Sequence, residues 1–101
     1  MSYEIIVTYT KTADTPEDVW RTMPTLKPDA GFTQEQITAF LAAHPMTWDT
    51  KVVLDQLILH YTFPSKEAAA ARSEDPVSQD IMKKQNDWQE ANHLTRTSRE
   101  I

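Results

Sequence analysis

Cysteine is missing altogether from the 101 residues, and glycine occurs once, at Gly31. Without cysteine there is no disulfide, thiolate nucleophile, zinc ribbon or iron-sulfur ligation, and the lack suits a reducing compartment. With one glycine the chain cannot build a P-loop or a dinucleotide fingerprint, because backbone that approaches phosphates closely needs several. Long apolar runs are missing too. Nothing nears the roughly 18 to 20 residues that span a bilayer, and the N-terminus has no basic, hydrophobic leader pattern. A concentrated basic surface is the fourth absence: the 10 Lys and Arg are scattered among 15 Asp and Glu, for a net charge of −5. Nucleic-acid binding draws on clustered positive charge and is therefore disfavoured. The expectation is a soluble protein, cytoplasmic or otherwise intracellular, that engages neither nucleic acid nor membrane.

What is present suffices for one domain over residues 1–101. Hydrophobic residues make up 40%, with three each of Trp, Tyr and Phe, enough for a core of its own. The longest strand-forming stretch runs from Trp48 to Phe63 and reads as a tight hairpin. A two-residue loop at Asp55 and Gln56 pairs Leu54 with Leu57, Val52 with Leu59, Thr50 with Tyr61 and Trp48 with Phe63 on one apolar face. Val53 against Ile58, Lys51 against His60 and Asp49 against Thr62 then form a mixed face. Asp-Gln lacks the glycine or asparagine that such a loop prefers, and a single long, bent strand is the competing reading.

Tyr3 to Lys11 alternates as a first strand, with Tyr3, Ile5, Val7 and Tyr9 on one face and Glu4, Ile6, Thr8 and Thr10 on the other. Thr15-Pro16-Glu17-Asp18 reads as a capped helix start, limited by Pro24 to about two turns. Pro28 and Gly31 mark a loop. Thr33 and Gln36 then form a capping box, with Phe32 and Ile37 as its hydrophobic staple, opening a helix over Gln34 to Ala43 that buries Ile37, Phe40 and Leu41. Ser65 caps an alanine-rich helix from Lys66 to Arg72, and Asp75-Pro76 opens another whose stripe is Val77, Ile81, Trp88 and Ala91, broken by Lys84. His93 to Ile101 alternates with charge on both sides, which suits an edge strand.

Strand, helices, strand, strand, helices, strand is the order of an α+β, ferredoxin-like βαββαβ domain: a four-stranded antiparallel sheet with helices on one face. The richer apolar face, with Val7, Trp48, Leu59, Tyr61 and Phe63, is assigned to the helices. The other holds Ile6, Val53 and Ile58 within a ring of Thr8, Thr10, Asp49, Lys51, His60 and Thr62. It is either an ordinary solvated sheet face or the surface through which the chain dimerises.

Leu57 to Phe63, followed by Pro64-Ser65-Lys66-Glu67-Ala68 and then Asp75-Pro76, resembles the third strand and second helical region of the antibiotic-biosynthesis-monooxygenase-like dimeric α+β barrels. The resemblance covers about Tyr3 to Lys11 and Trp48 to Ile101. Thr12 to Pro45 departs from it, being broken by proline where one long helix is usual. The resemblance implies a homodimer and, among relatives, cofactor-free oxygenases, haem degraders, isomerases, cyclases and proteins without established activity. The haem-degrading pattern does not carry over: the first strand has no asparagine, and Ile81, Met82 and Lys83 stand where its histidine is expected.

His60 is the best candidate for chemistry. Opposite Lys51 and diagonal to Asp49, it combines a neighbour that favours the neutral imidazole with one that orients it, the arrangement of a general base. The same residues equally describe a surface polar cluster. His44 and His93 sit at helix ends, and the three histidines share no metal-ligand spacing. Trp20, Trp48 and Trp88 read as core, with Trp20 the least constrained. The pairs Glu17-Asp18 and Glu74-Asp75 read as helix N-terminal groups.

Two functional expectations follow. The first is a homo-oligomeric domain with a binding or assembly role and no dedicated catalysis, needing no cofactor, whose partner is a second copy of itself. The second is a cofactor-independent monooxygenase or isomerase acting on a hydrophobic small molecule, with His60 as base supported by Asp49 and Lys51. In either case Ile6, Thr8, Thr10, Val53, Ile58 and Thr62 form the ligand or interface surface.

Overall fold

The computed structural model describes residues 2–28 and 31–101. The loop expected between Pro28 and Gly31 falls on residues 29 and 30, outside the described residues. Four strands form one antiparallel sheet: β1 (Tyr3–Thr10), β2 (Thr47–Val53), β3 (Gln56–Phe63) and β4 (Thr95–Glu100), in spatial order β2-β3-β1-β4. Three helices join them: α1 (Gln34–Ala43), α2 (Lys66–Glu74) and α3 (Pro76–Ala91). The fold is α+β, in an order consistent with the ferredoxin-like arrangement, and β4 lies at an edge as its charges imply.

The helices begin where the capping chemistry places them. Thr33 accepts from the Gln36 backbone while the Gln36 side chain accepts from the Thr33 backbone, so the capping box closes in both directions. Ser65 Oγ accepts from the Ala68 N–H at 3.0 Å, and Asp75 Oδ1 accepts from Val77 N–H at 2.9 Å with Pro76 at the first helical position. The start expected at Thr15-Pro16 differs: only a four-residue 3-10 turn forms, over Val19–Thr22, and its cap position, Asp18, makes no side-chain cap bond. Thr15 bonds elsewhere, its hydroxyl reaching the His93 carbonyl at 3.2 Å beside that of Thr12 at 2.7 Å. Those bonds tie the first crossover to the α3-β4 junction, where His93 has φ +57. Glu74 is the last residue of α2 and not an N-terminal group.

The core lies on the face assigned to the helices. Val7, Tyr9, Leu57 and Leu59 of the sheet pack with Val19, Trp88 and Leu94, flanked by Ile5, Trp20, Met23 and Tyr61. Trp88 meets Tyr9 edge-on at 5.3 Å between ring centres and donates its Nε1 proton to Thr22 Oγ1 at 2.9 Å. Trp20 is partly buried at 6.3 Å from Trp88, and its Nε1 has no partner among the described residues. On α3, Ser78 and Trp88 are buried and Ala91 is exposed, so the expected stripe is displaced at its end.

Two expectations about burial fail for one reason. Leu41 is 45% exposed and Trp48 is 56% exposed, because α1 joins the helical layer and does not roof β2. The Arg72 guanidinium stacks over Phe40 at 4.5 Å and donates to the His44 carbonyl at 2.7 Å, His44 Nε2 bonds Asp75 Oδ2 at 3.1 Å, and Lys84 lies over Phe32. His44, at the end of α1, thus meets a carboxylate at the start of α3. These contacts hold α1 to α2 and α3, and all seven residues of β2 stay exposed.

The hairpin is confirmed but its loop moves. Leu54 and Asp55, not Asp55 and Gln56, make the turn, so Val53 pairs with Gln56, Val52 with Leu57, Thr50 with Leu59 and Trp48 with Tyr61. A shift of two residues leaves the strand side chains on their expected faces while changing each partner, and it moves Leu54, expected opposite Leu57, into the loop. Leu54 takes φ +55 at the first loop position, where glycine is preferred.

Burial first, and the nearby Tyr9 second, push the Tyr61 hydroxyl up to about 12, against the pull of Arg96 and Arg72. The unfolded chain releases this proton near pH 10 and the folded chain holds it longer, so the stability present below pH 10 is lost as pH rises towards 12. Tyr61→Phe is expected to reduce that alkaline loss, by up to about 2 kcal/mol, in denaturant melts at pH 9 and pH 12.

Candidate functional site

The helix-free face is built by alternation. Glu4, Ile6, Thr8 and Thr10 on β1 stand beside Gln56, Ile58, His60 and Thr62 on β3, and Thr47, Asp49, Lys51 and Val53 on β2 continue the rows. β4 adds Thr95, Thr97 and Arg99 on the far side. The face therefore collects all the residues expected on it.

Their pairing differs from the expected one. His60 stands directly opposite Asp49 on one side and Ile6 on the other, while Lys51 faces Ile58. Lys51 is therefore diagonal to His60 and not opposite it. The two-residue shift of the hairpin causes the exchange.

The closest partner of His60 was not expected. Its Nε2 lies 2.8 Å from Glu4 Oε1, in a pair whose side chains are 37% and 35% exposed. A carboxylate only accepts, so Nε2 carries the proton and Nδ1 is left as the acceptor of the neutral ring. Glu4 thus supplies the orienting role expected of Asp49, whose exposed side chain faces the same ring across the ladder. Parity of the first strand already put Glu4 on this face. Its contact with His60 needs the β1-β3 register, in which Glu4 faces Thr62, one step along from His60. Gln56 Nε2 donates to Thr10 Oγ1 at 3.4 Å, closing the polar rim near the loop.

Chemically, the face can orient one imidazole and offer hydroxyls, a carboxylate and three aliphatic side chains to something laid across it. It does not enclose that ligand. A hollow of about 550 Å³ lies between the 3-10 turn and α3, lined by Arg21, Met23, Lys27 and Lys84 among others. A second, of about 260 Å³, is lined by Pro45, Met46, Thr47, Thr62 and Phe63 and touches the candidate face only at Thr47 and Thr62. Neither reaches His60. Among the described residues no three His, Asp or Glu side chains gather as a metal-binding group, and no helix is long and apolar enough to cross a membrane.

No protein-family model matches the chain, and no curated protein matches it. Among solved structures, Rv0793 from Mycobacterium tuberculosis is similar, with a TM-score of 0.58 and 13% sequence identity over 98% of this chain and 93% of that one. At that identity the likeness is one of fold.

Glu4→Ala is expected to release His60 from a single tautomer. Long-range proton-nitrogen spectra at alkaline pH should show Nε2–H alone in the native protein and an added Nδ1–H population in the variant; an unchanged ratio would mean that Glu4 does not set it.

Proposed function

We propose that the chain is a homo-oligomeric binding or assembly module of the antibiotic-biosynthesis-monooxygenase-like barrel type, with the helix-free sheet face as its working surface and no dedicated catalytic centre. The observation that carries this reading is the openness of that face: Ile6, Val53 and Ile58 are only partly covered, and neither hollow reaches His60. A reacting small molecule is ordinarily held in an enclosed pocket that removes most of its surface from water. A broad, half-apolar face without a lid suits a second protein surface better. The strand order and the likeness to Rv0793 support the α+β, ferredoxin-like fold that the barrel reading presupposes.

One observation favours a second reading, a cofactor-independent monooxygenase or isomerase acting on a hydrophobic small molecule. The Glu4-His60 pair has the geometry of an oriented base: Nδ1 takes a proton from a substrate laid over Ile6 and Ile58, and the Glu4 carboxylate stabilises the imidazolium that forms. Asp49 across the ladder adds to that stabilisation, and Lys51 attracts a developing negative charge on the substrate.

Light scattering at tens of micromolar chain is expected to give twice the chain mass of 11.6 kDa or a higher multiple, and a strict monomer would overturn the first reading. His60→Ala is expected to change stability by less than about 1 kcal/mol, as for an exposed pair. Turnover of a hydroxyaromatic substrate under oxygen that disappears in His60→Ala would establish the second reading instead.

A further inference from the structure

We propose that a second copy docks along the free edge of β2, the two β2 strands running antiparallel about a two-fold axis at Thr50, so that two four-stranded sheets become one continuous sheet. The proposal rests on the homo-oligomeric reading above and specifies how the copies meet. Among the described residues β2 ends the sheet and pairs only with β3. The large exposed hydrophobics concentrate here: Trp48, Val52, Val53 and Leu54 lie on this strand and its turn. The opposite edge, β4, is formed of Thr, Arg, Ser and Glu.

The backbone sets which registers are possible. The two-residue loop makes Val53 and Gln56 the bonded pair that closes the hairpin, and bonded and open pairs then alternate. The N–H and C=O groups of Trp48, Thr50 and Val52 therefore point away from β3, towards the free edge. A two-fold centred on Asp49 or on Lys51 sets like charges against each other, which is unfavourable. Centring on Thr50 sets Asp49 against Lys51 of the second copy, and the symmetry repeats the pair. The same register places Trp48 against Val52 on the helix side, Thr47 against Val53 on the open side, and Leu54 against Met46.

Charges on a sheet edge commonly prevent pairing, and lysine is the usual guard. Here one acid and one base flank Thr50 at equal distance, an arrangement that complements its own copy. Leu54 points the same way. It is 93% exposed and holds φ +55, a left-handed conformation that a side chain disfavours. Docking gives that side chain a contact its own chain does not. It also lengthens the candidate site, since Lys51 of the second copy joins the row Ile6, His60, Asp49 on the open face.

The test is sedimentation velocity on the full chain and four variants, with thermal melts to confirm folding. Asp49→Lys and Lys51→Asp each turn two attractive pairs into repulsive ones and are expected to weaken self-association about tenfold or more. The double variant, Asp49→Lys with Lys51→Asp, restores complementarity and is expected to recover the native association. Thr8→Arg, at the centre of the open face, separates the two docking modes: association that survives it belongs to the edge, and association it abolishes belongs to the face. Single variants that associate like the native chain, or a double variant that fails to recover, overturn the edge register. If they do so while Thr8→Arg dissociates the assembly, the copies meet through the sheet face, and the homo-oligomeric reading survives without this inference. A monomeric native chain removes both.

Discussion

The edge-on contact between Trp88 and Tyr9 decides how the rest of the molecule is disposed. Trp88 is buried on α3, joined to the 3-10 turn through Thr22 and set at a tilt beside Trp20, so one side chain binds the last helix, the first crossover and a central strand together. Aromatic pairs in this geometry add about 0.5–1.5 kcal/mol beyond the area they bury. Their larger effect here is geometric: α3 is held over β1 and β3, and the helices are confined to one side of the sheet. Everything said of function concerns the parts of the sheet this arrangement leaves open.

Two surfaces are left. One is the face opposite the helices, where period-two alternation gathers Ile6, Ile58 and Val53 among threonines and charges. The other is β2, which lies outside the helical layer because α1 is anchored to its neighbours through Phe40, His44 and Phe32. A strand with no partner on its outer edge and no helix above it keeps unpaired backbone groups and apolar side chains in water. Such an edge usually pairs with something or is guarded. The symmetric placement of Asp49 and Lys51 about Thr50 does not guard against a second copy.

The Glu4-His60 pair belongs to the same open face, and its chemistry turns on whether water is excluded there. In solvent an imidazole held by one carboxylate is an ordinary polar pair of small energetic weight. Beneath a bound surface or ligand it becomes an oriented base with a fixed tautomer. The binding reading and the catalytic one therefore differ less in the residues involved than in what covers them.

Much of this was legible from residue order alone, and the remainder divides along a physical line. Local rules reach across a few residues: the Thr33-Gln36 box, the Asp75-Pro76 start and the alternation of β1 and β3 specified elements and faces, because caps and pleats depend on near neighbours. The hairpin register escaped them, since neither Leu54-Asp55 nor Asp55-Gln56 carries a glycine, and a shift of two residues keeps the strand faces intact. The capped helix expected at Thr15 gave way to long-range bonds from Thr12 and Thr15 to His93. Trp48 and Leu41 looked like core because apolar character reveals which face a side chain joins and not whether a helix reaches far enough to roof it. Glu4 came to His60 only through the pairing of β1 with β3, residues 56 apart in the chain. Sequence by itself determined the elements, their order and the two-sidedness of the sheet; tertiary structure alone decided which strand stayed bare and which carboxylate met the histidine, because both depend on distances between segments that no local pattern encodes.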